Sequence, residues 1–224
     1  MLIKKLMKSI LYTSLLSIMT LLACNTEERV SREVFDNVKR ESAVKRVSDV
    51  QIVEKALAMG NEISSEAQEQ LMSTLRSAID EKGIAGAVEF CNAEALPIVK
   101  SVGDEYGVEV RRVSNRYRNP SDQPREDEEA ILGAYEYNQE IGETSEPNIQ
   151  KLQNGEVLLY TRAITIPGQF CLNCHGAPNT DINSEVLQKI NLLYPEDKAK
   201  GHQVGDLRGM WSLRIPRKEV ISRL

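Results

Sequence analysis

The stretch Phe170-Cys171-Leu172-Asn173-Cys174-His175-Gly176 places two thiols and an imidazole in C-x-x-C-H spacing, the pattern by which a chain attaches a c-type haem. Each residue type has a task there. The two thiols add across haem vinyl groups as thioethers, and the adjoining imidazole reaches the iron as an axial ligand. The same residues also admit a disulfide, a redox C-x-x-C pair or half of a zinc site. Zinc is the weakest of these, because the chain beyond its N-terminal segment offers one further Cys and one further His, with no second paired spacing. One covalent haem c is therefore the expected cofactor.

The other cysteines sharpen this reading. Residues 1–23 run from a basic start with Lys4, Lys5 and Lys8 through an apolar stretch to Leu21-Leu22-Ala23-Cys24. That order describes an export signal, and its end resembles a bacterial lipobox in which Cys24 is lipid-modified; an ordinary signal peptide or an uncleaved anchor is the alternative. Several acyl chains on one residue suffice for stable attachment to a membrane. Asn25, by resemblance to enteric lipoproteins, points to the outer membrane, with the domain in the periplasm of a bacterial envelope. With Cys24, Cys171 and Cys174 assigned, Cys91 is left without a disulfide partner. An unpaired thiol in an oxidising compartment is expected to be buried or coordinated. The 28 basic residues against 33 acidic ones, a formal charge of −5, argue against nucleic acid, whose phosphates demand a positive footprint.

The elements that must position these groups follow from periodicity. Residues 1–23 are read as the signal, 24–48 as a charged tether, part of it helical, and 49–224 as one domain. Ile52, Ala56, Met59, Ile63, Ala67, Leu71, Leu75 and Ile79 repeat every three or four residues, which predicts a long amphipathic helix, or two joined near Gly60 with Ser64 or Ser65 as cap. After Gly83 a second pattern places Cys91 on the face of Ala87, Val88 and Ala95, so the thiol points inward. Pro97 predicts a kink or a new start close to it. Residues 108–113 alternate as a strand, and 126–141 read as a helix burying Ala130, Ile131, Ala134 and Asn138. Asn154-Gly155 joins a hairpin of 149–153 with 156–166, which delivers the chain through Pro167-Gly168 to the haem motif. A short helix near 186–193 and a last strand at 210–215 complete an α+β pattern.

Four ordered motifs now carry a resemblance: Cys91-Asn92-Ala93-Glu94-Ala95-Leu96-Pro97, Val113 through Arg118-Asn119-Pro120, Cys171 through Gly176, and Tyr194-Pro195 through Gly205-Asp206-Leu207-Arg208-Gly209. Over about residues 50–217 the chain resembles a bacterial domain family, long classed as of unknown function, of single-haem c-type proteins with a PAS-like antiparallel sheet behind long N-terminal helices. Its members occur alone or ahead of kinases and cyclases. The resemblance implies that Cys91 is the distal iron ligand opposite His175; a buried, inert thiol is the plainer alternative. His202 stands where the family more often has an aromatic, which makes it the alternative distal ligand, although a lone His in a polar turn usually faces solvent. Met59, Met72 and Met210 read as packing residues. Among Arg111, Arg112, Arg116 and Arg118, the last lies within a motif, as does Arg208, and these two are chosen to hold the haem propionates.

The function expected is electron transfer, or service as a redox-responsive subunit of another envelope protein. The alternative is a haem-based gas or redox sensor that signals through a separate partner, since no output domain is expected after Leu224. A haem enzyme such as a peroxidase is not expected.

Overall fold

The computed structural model describes residues 31–41 and 47–224. The export signal and Cys24 lie outside the described residues. Helix α1 (Arg32–Glu41) belongs to a separate unit and opens on Ser31, whose hydroxyl accepts from the Val34 amide at 3.2 Å. Residues 47–224 form the other unit.

That unit begins with α2 (Asp49–Tyr106). Ser48 and Gln51 cap it reciprocally: the Ser48 hydroxyl accepts from the Gln51 amide, and the Gln51 side chain accepts from the Ser48 amide. Ile52, Ala56, Met59, Ile63 and Ala67 form the buried stripe. The helix passes unbroken through Gly60, so the single long helix holds of the two alternatives there, and the one non-helical position in α2 is Gly83 (φ 71°, ψ 175°), after which the second pattern is expected. The physical reason is tertiary. A Cβ on Gly60 would lie 2.1 Å from the Tyr160 ring, so this glycine is a seat for an aromatic side chain and not a hinge. Ser64 is likewise no cap; it is buried, donating to the Gly60 carbonyl at 2.6 Å. Pro97 also departs from expectation, remaining inside the helix without a non-helical dihedral, because it and Ala93 lie on the exposed side where water can take the carbonyl freed by the missing donor. Gly60→Ala is expected to destabilise the fold by about 1–3 kcal/mol through overpacking, despite alanine's better helix propensity, as read by urea unfolding.

Strands β1 (Glu109–Val113), β2 (Asn148–Leu152), β3 (Val157–Thr165) and β4 (Leu207–Pro216) make an antiparallel sheet of order β1-β4-β3-β2. The hairpin is present, but Leu152 pairs with Val157, so its loop spans four residues with Gln153, Asn154 and Gly155 all at positive φ. One sheet face, with Val110, Leu158, Tyr160, Trp211, Leu213 and Ile215, packs on the buried stripe of α2. The other face receives α3 (Glu126–Ile141) through Ile131, Leu132 and Tyr135. Ala130 and Ala134, expected inside, are exposed. What turns the helix is Glu128: it is fully buried, accepting from Arg111 at 2.8 Å, from the Ser212 hydroxyl at 2.6 Å and from the Arg125 amide at 2.8 Å. The fold is therefore α+β, a four-stranded antiparallel sheet with one long helix.

Candidate functional site

Beyond Thr165 the chain turns through Pro167 and Gly168 into the short helix α4 (Gln169–His175). Cys171, Cys174 and His175 stand at i, i+3 and i+4 on it, which puts them on one face. All three line a cavity of about 570 Å³, within the range of about 300–1,000 Å³ usual for cofactor and small-molecule sites. Helix α2 lines it as well: Leu71, Met72, Leu75 and Ile79 leave the core stripe half-buried and turn into this space. Residues 84–106 bring Val88 and Cys91 to it, and the sheet contributes Ile164 and Trp211. Helix α5 (Ser184–Leu193) backs the site, with Val186 and Ile190 packed on Val88 and Cys174 beside them.

The ligand-bearing groups are prepared by their surroundings. His175 Nδ1 donates to the Ala199 carbonyl at 2.9 Å, which fixes the tautomer and leaves Nε2 as a bare lone pair, the usual arrangement of a metal-binding imidazole. Desolvation, reinforced by Arg208 and Arg118, holds its pKa well below the ordinary value, so the ring is neutral and competent to ligate. Burial pushes Cys171 up, and it drives Cys174 to about 11 against the opposing pull of Arg118. A redox C-x-x-C pair needs a lowered thiol pKa, and here both move the other way. Among the described residues Cys91, Cys171 and Cys174 are free thiols, and no three His, Cys, Asp or Glu side chains group closely enough for one bare metal ion. Cys91 lines the same cavity, and burial raises its pKa too.

The arginines separate by strand alternation. Arg112, paired with Trp211 in the sheet register, faces the cavity, whereas Arg111 points to the other face and Glu128. Arg118 lines the cavity, donating from Nη2 to the Cys174 carbonyl at 2.6 Å and from Nε to Asp197 at 3.1 Å. Arg208 also lines it, and burial, then Arg112 and Arg118, lower its pKa to about 9. Three crowded guanidiniums of this kind ask for an anion. The two arginines chosen from the sequence are thus joined by Arg112, which the shared face of Val110 and Arg112 could have signalled.

His202 is not solvent-facing. It is 1% exposed, its Nδ1 accepts from Arg116 at 3.1 Å, and Nε2 has no partner among the described residues. Its ring stands edge-on to His175 with centroids 6.2 Å apart, and its amide donates to the His175 carbonyl at 2.9 Å. It lies beside His175 and is not among the cavity-lining residues, whereas Cys91 is. Met72 lines the cavity; Met59 and Met210 are core. Burial, then Arg116 and Arg208, lower the His202 pKa from 6.5 to about 4. A depressed histidine contributes stability that is complete above its unfolded pKa and is lost as pH falls from about 6.5 towards 4, at most about 3 kcal/mol. His202→Phe is expected to flatten that part of the stability–pH curve in thermal unfolding.

The family described as Tll0287-like matches residues 30–216 of this chain. A solved structure, described as the crystal structure of the cyanobacterial haem protein Tll0287, is 29% identical, covers 71% of this chain and 94% of its own, and superposes with a TM-score of 0.49. No curated protein matches.

Proposed function

The chain belongs to the Tll0287-like family, and on that premise we propose that it is a membrane-anchored monohaem c-type protein of the bacterial envelope that transfers electrons or reports redox state to a partner. The observation that carries this is the cavity itself. It gathers Cys171, Cys174, His175 with its bare Nε2, Cys91 and three arginines around one space. The family's namesake is described as a haem protein.

The donor set fits the group. Cys171 and Cys174 would hold haem covalently, His175 would be the proximal ligand and Cys91 the distal one, and Arg112, Arg118 and Arg208 would face its carboxylates. One-electron exchange between ferric and ferrous iron is the chemistry such a group supplies. The rest is done by this chain's own atoms. The Ala199 carbonyl orients the His175 ring, the aliphatic side chains of α2 give the cavity an apolar lining, and Asp197 holds Arg118 in place through its Nε. Were His175 and Cys91 both to ligate the iron, they would leave no place for substrate there, and on that reading the protein would not be an enzyme. Lipid on Cys24 and the tether of residues 24–48 would hold the domain at the membrane, on the periplasmic side.

The sensor reading rests on one observation: burial favours protonation of Cys91, so its bond to iron would be the weak one. Carbon monoxide added to the reduced holoprotein separates the readings. No optical change is the result expected for a closed electron-transfer site; rapid binding would make the protein a gas sensor, and turnover of added peroxide would make it an enzyme.

A further inference from the structure

Besides the arginines, the cavity holds a carboxylate that the haem reading leaves without a task. Asp122 ends the 3-10 turn Pro120–Asp122 and is 7% exposed. Its backbone is fully engaged: the amide donates to the Asn119 carbonyl and the carbonyl accepts from the Ser114 amide, both at 2.9 Å. The Asn119 side chain accepts from the Ser121 amide at 3.0 Å and stiffens the turn. The side chain is different. It lines the cavity, yet among the described residues it takes no hydrogen bond and no ion pair.

The other buried carboxylates are not like this. Glu128 is satisfied by Arg111, Ser212 and the Arg125 amide. Asp197 accepts from Arg118 and the Ala199 amide and pairs with Lys200 at 3.0 Å. Both have their oxygens engaged by these partners. Asp122 is under two opposed influences: desolvation raises its pKa, while Arg112, Arg208 and Arg111 pull it down from a distance. Arg112 on β1 and Arg208 on β4 line the cavity with it, Arg111 acts on it only from a distance with its guanidinium bonded to the Ser121 and Gln123 carbonyls and to Glu128, and Arg118 belongs to the same cluster through Arg208. Desolvation is the larger influence, so the carboxyl sits above its ordinary range, and an added negative charge in the same cavity would raise it further because a buried site screens charge poorly.

We propose that Asp122 is the redox-linked proton acceptor of this cavity: its carboxylate takes one proton from solvent when the bound haem accepts one electron from a donor protein, and releases it on reoxidation. The inference rests on the haem reading above. Charge balances in each direction: the electron reduces ferric to ferrous iron, the proton converts carboxylate to carboxylic acid, and the net charge of the cavity is unchanged. Linkage makes the effect reciprocal, so protonation of Asp122 favours reduction as much as reduction favours protonation.

The test is a spectroelectrochemical titration of the holoprotein across pH, with Asp122→Asn for comparison. In the wild type the midpoint should fall as pH rises between the oxidised- and reduced-state pKa values of Asp122. The reduction equilibrium should change there by up to about tenfold per pH unit, or 59 mV; in Asp122→Asn that slope should vanish. Redox-difference infrared spectra of wild-type protein labelled in its aspartate carboxyls should gain a protonated-carboxyl band on reduction, and this measurement stands even where the variant fails to fold. A coloured wild type with a pH-independent midpoint, a variant that keeps the full slope, or no aspartic acid band on reduction overturns the inference and leaves the haem reading intact. A colourless protein removes both.

Discussion

Serine at both Cys171 and Cys174 is expected to yield a protein with no covalently held haem, so that any pigment present is extracted by acid acetone. Both thioether donors sit on one face of α4, open to the cavity, and no other described thiol stands in that spacing. Either single variant should keep one thioether and leave one vinyl conjugated, moving the pyridine haemochrome to longer wavelength. The double variant should also lose stability. Leu71, Leu75 and Ile79 are half-buried around the cavity, and covering them is worth roughly half of the 1.5–3 kcal/mol of a fully buried side chain each. Together that is about 3 kcal/mol, or roughly 6–12 °C in Tm for a domain of this size. A redox dithiol would behave otherwise: its serine variants would retain the pigment, and at least one thiol would titrate low, against the upward shifts of Cys171 and Cys174.

What could be read from the sequence was chemistry that is local along the chain. The C-x-x-C-H motif needs only one helical turn, and the hairpin before it is marked by Asn154-Gly155. The inward face of Cys91 follows from Ala87, Val88 and Ala95, of which all three are buried. What could not be read depended on partners distant in sequence. Gly60 looked like a joint because nothing nearby shows that Tyr160, a hundred residues on, needs its space. Ala130 and Ala134 looked buried because alanine carries little information, while the residue that turns α3, Glu128, is made tolerable inside by Arg111 and Ser212 on two different strands. His202 looked solvated in a polar turn, but Arg116 and the backbone of His175 draw it under the surface. Arg111 and Arg112 are adjacent and chemically alike, and only strand register assigns one to a structural ion pair and the other to the cavity.

Cys91→Ala is expected to change the iron's ligand field and open a coordination position. The optical and electron paramagnetic spectra of the ferric protein should both shift, the ferrous form should bind carbon monoxide, and the midpoint potential should rise by on the order of 100 mV. The direction follows from the donor: a thiolate supplies electron density and favours ferric iron, and losing it favours the ferrous state. Because burial raises the Cys91 pKa, its thiolate persists only while iron takes the place of the proton, and reduction weakens that hold. The consequence extends along α2. Cys91 rides on residues 84–106, which follow the break at Gly83 and pack on α5 through Val88. In a closed electron-transfer site amide exchange in residues 84–96 should be the same in ferric and ferrous protein; on the sensor reading, in which Cys91 leaves the iron on reduction, it should rise in the ferrous form, while 49–67, locked to the sheet through Tyr160 and Asn61, exchange equally in both. Unchanged spectra in Cys91→Ala together with altered spectra in His202→Phe would instead assign the second ligand to His202, and that outcome requires its ring to leave the Arg116 bond and swing past His175 into the cavity.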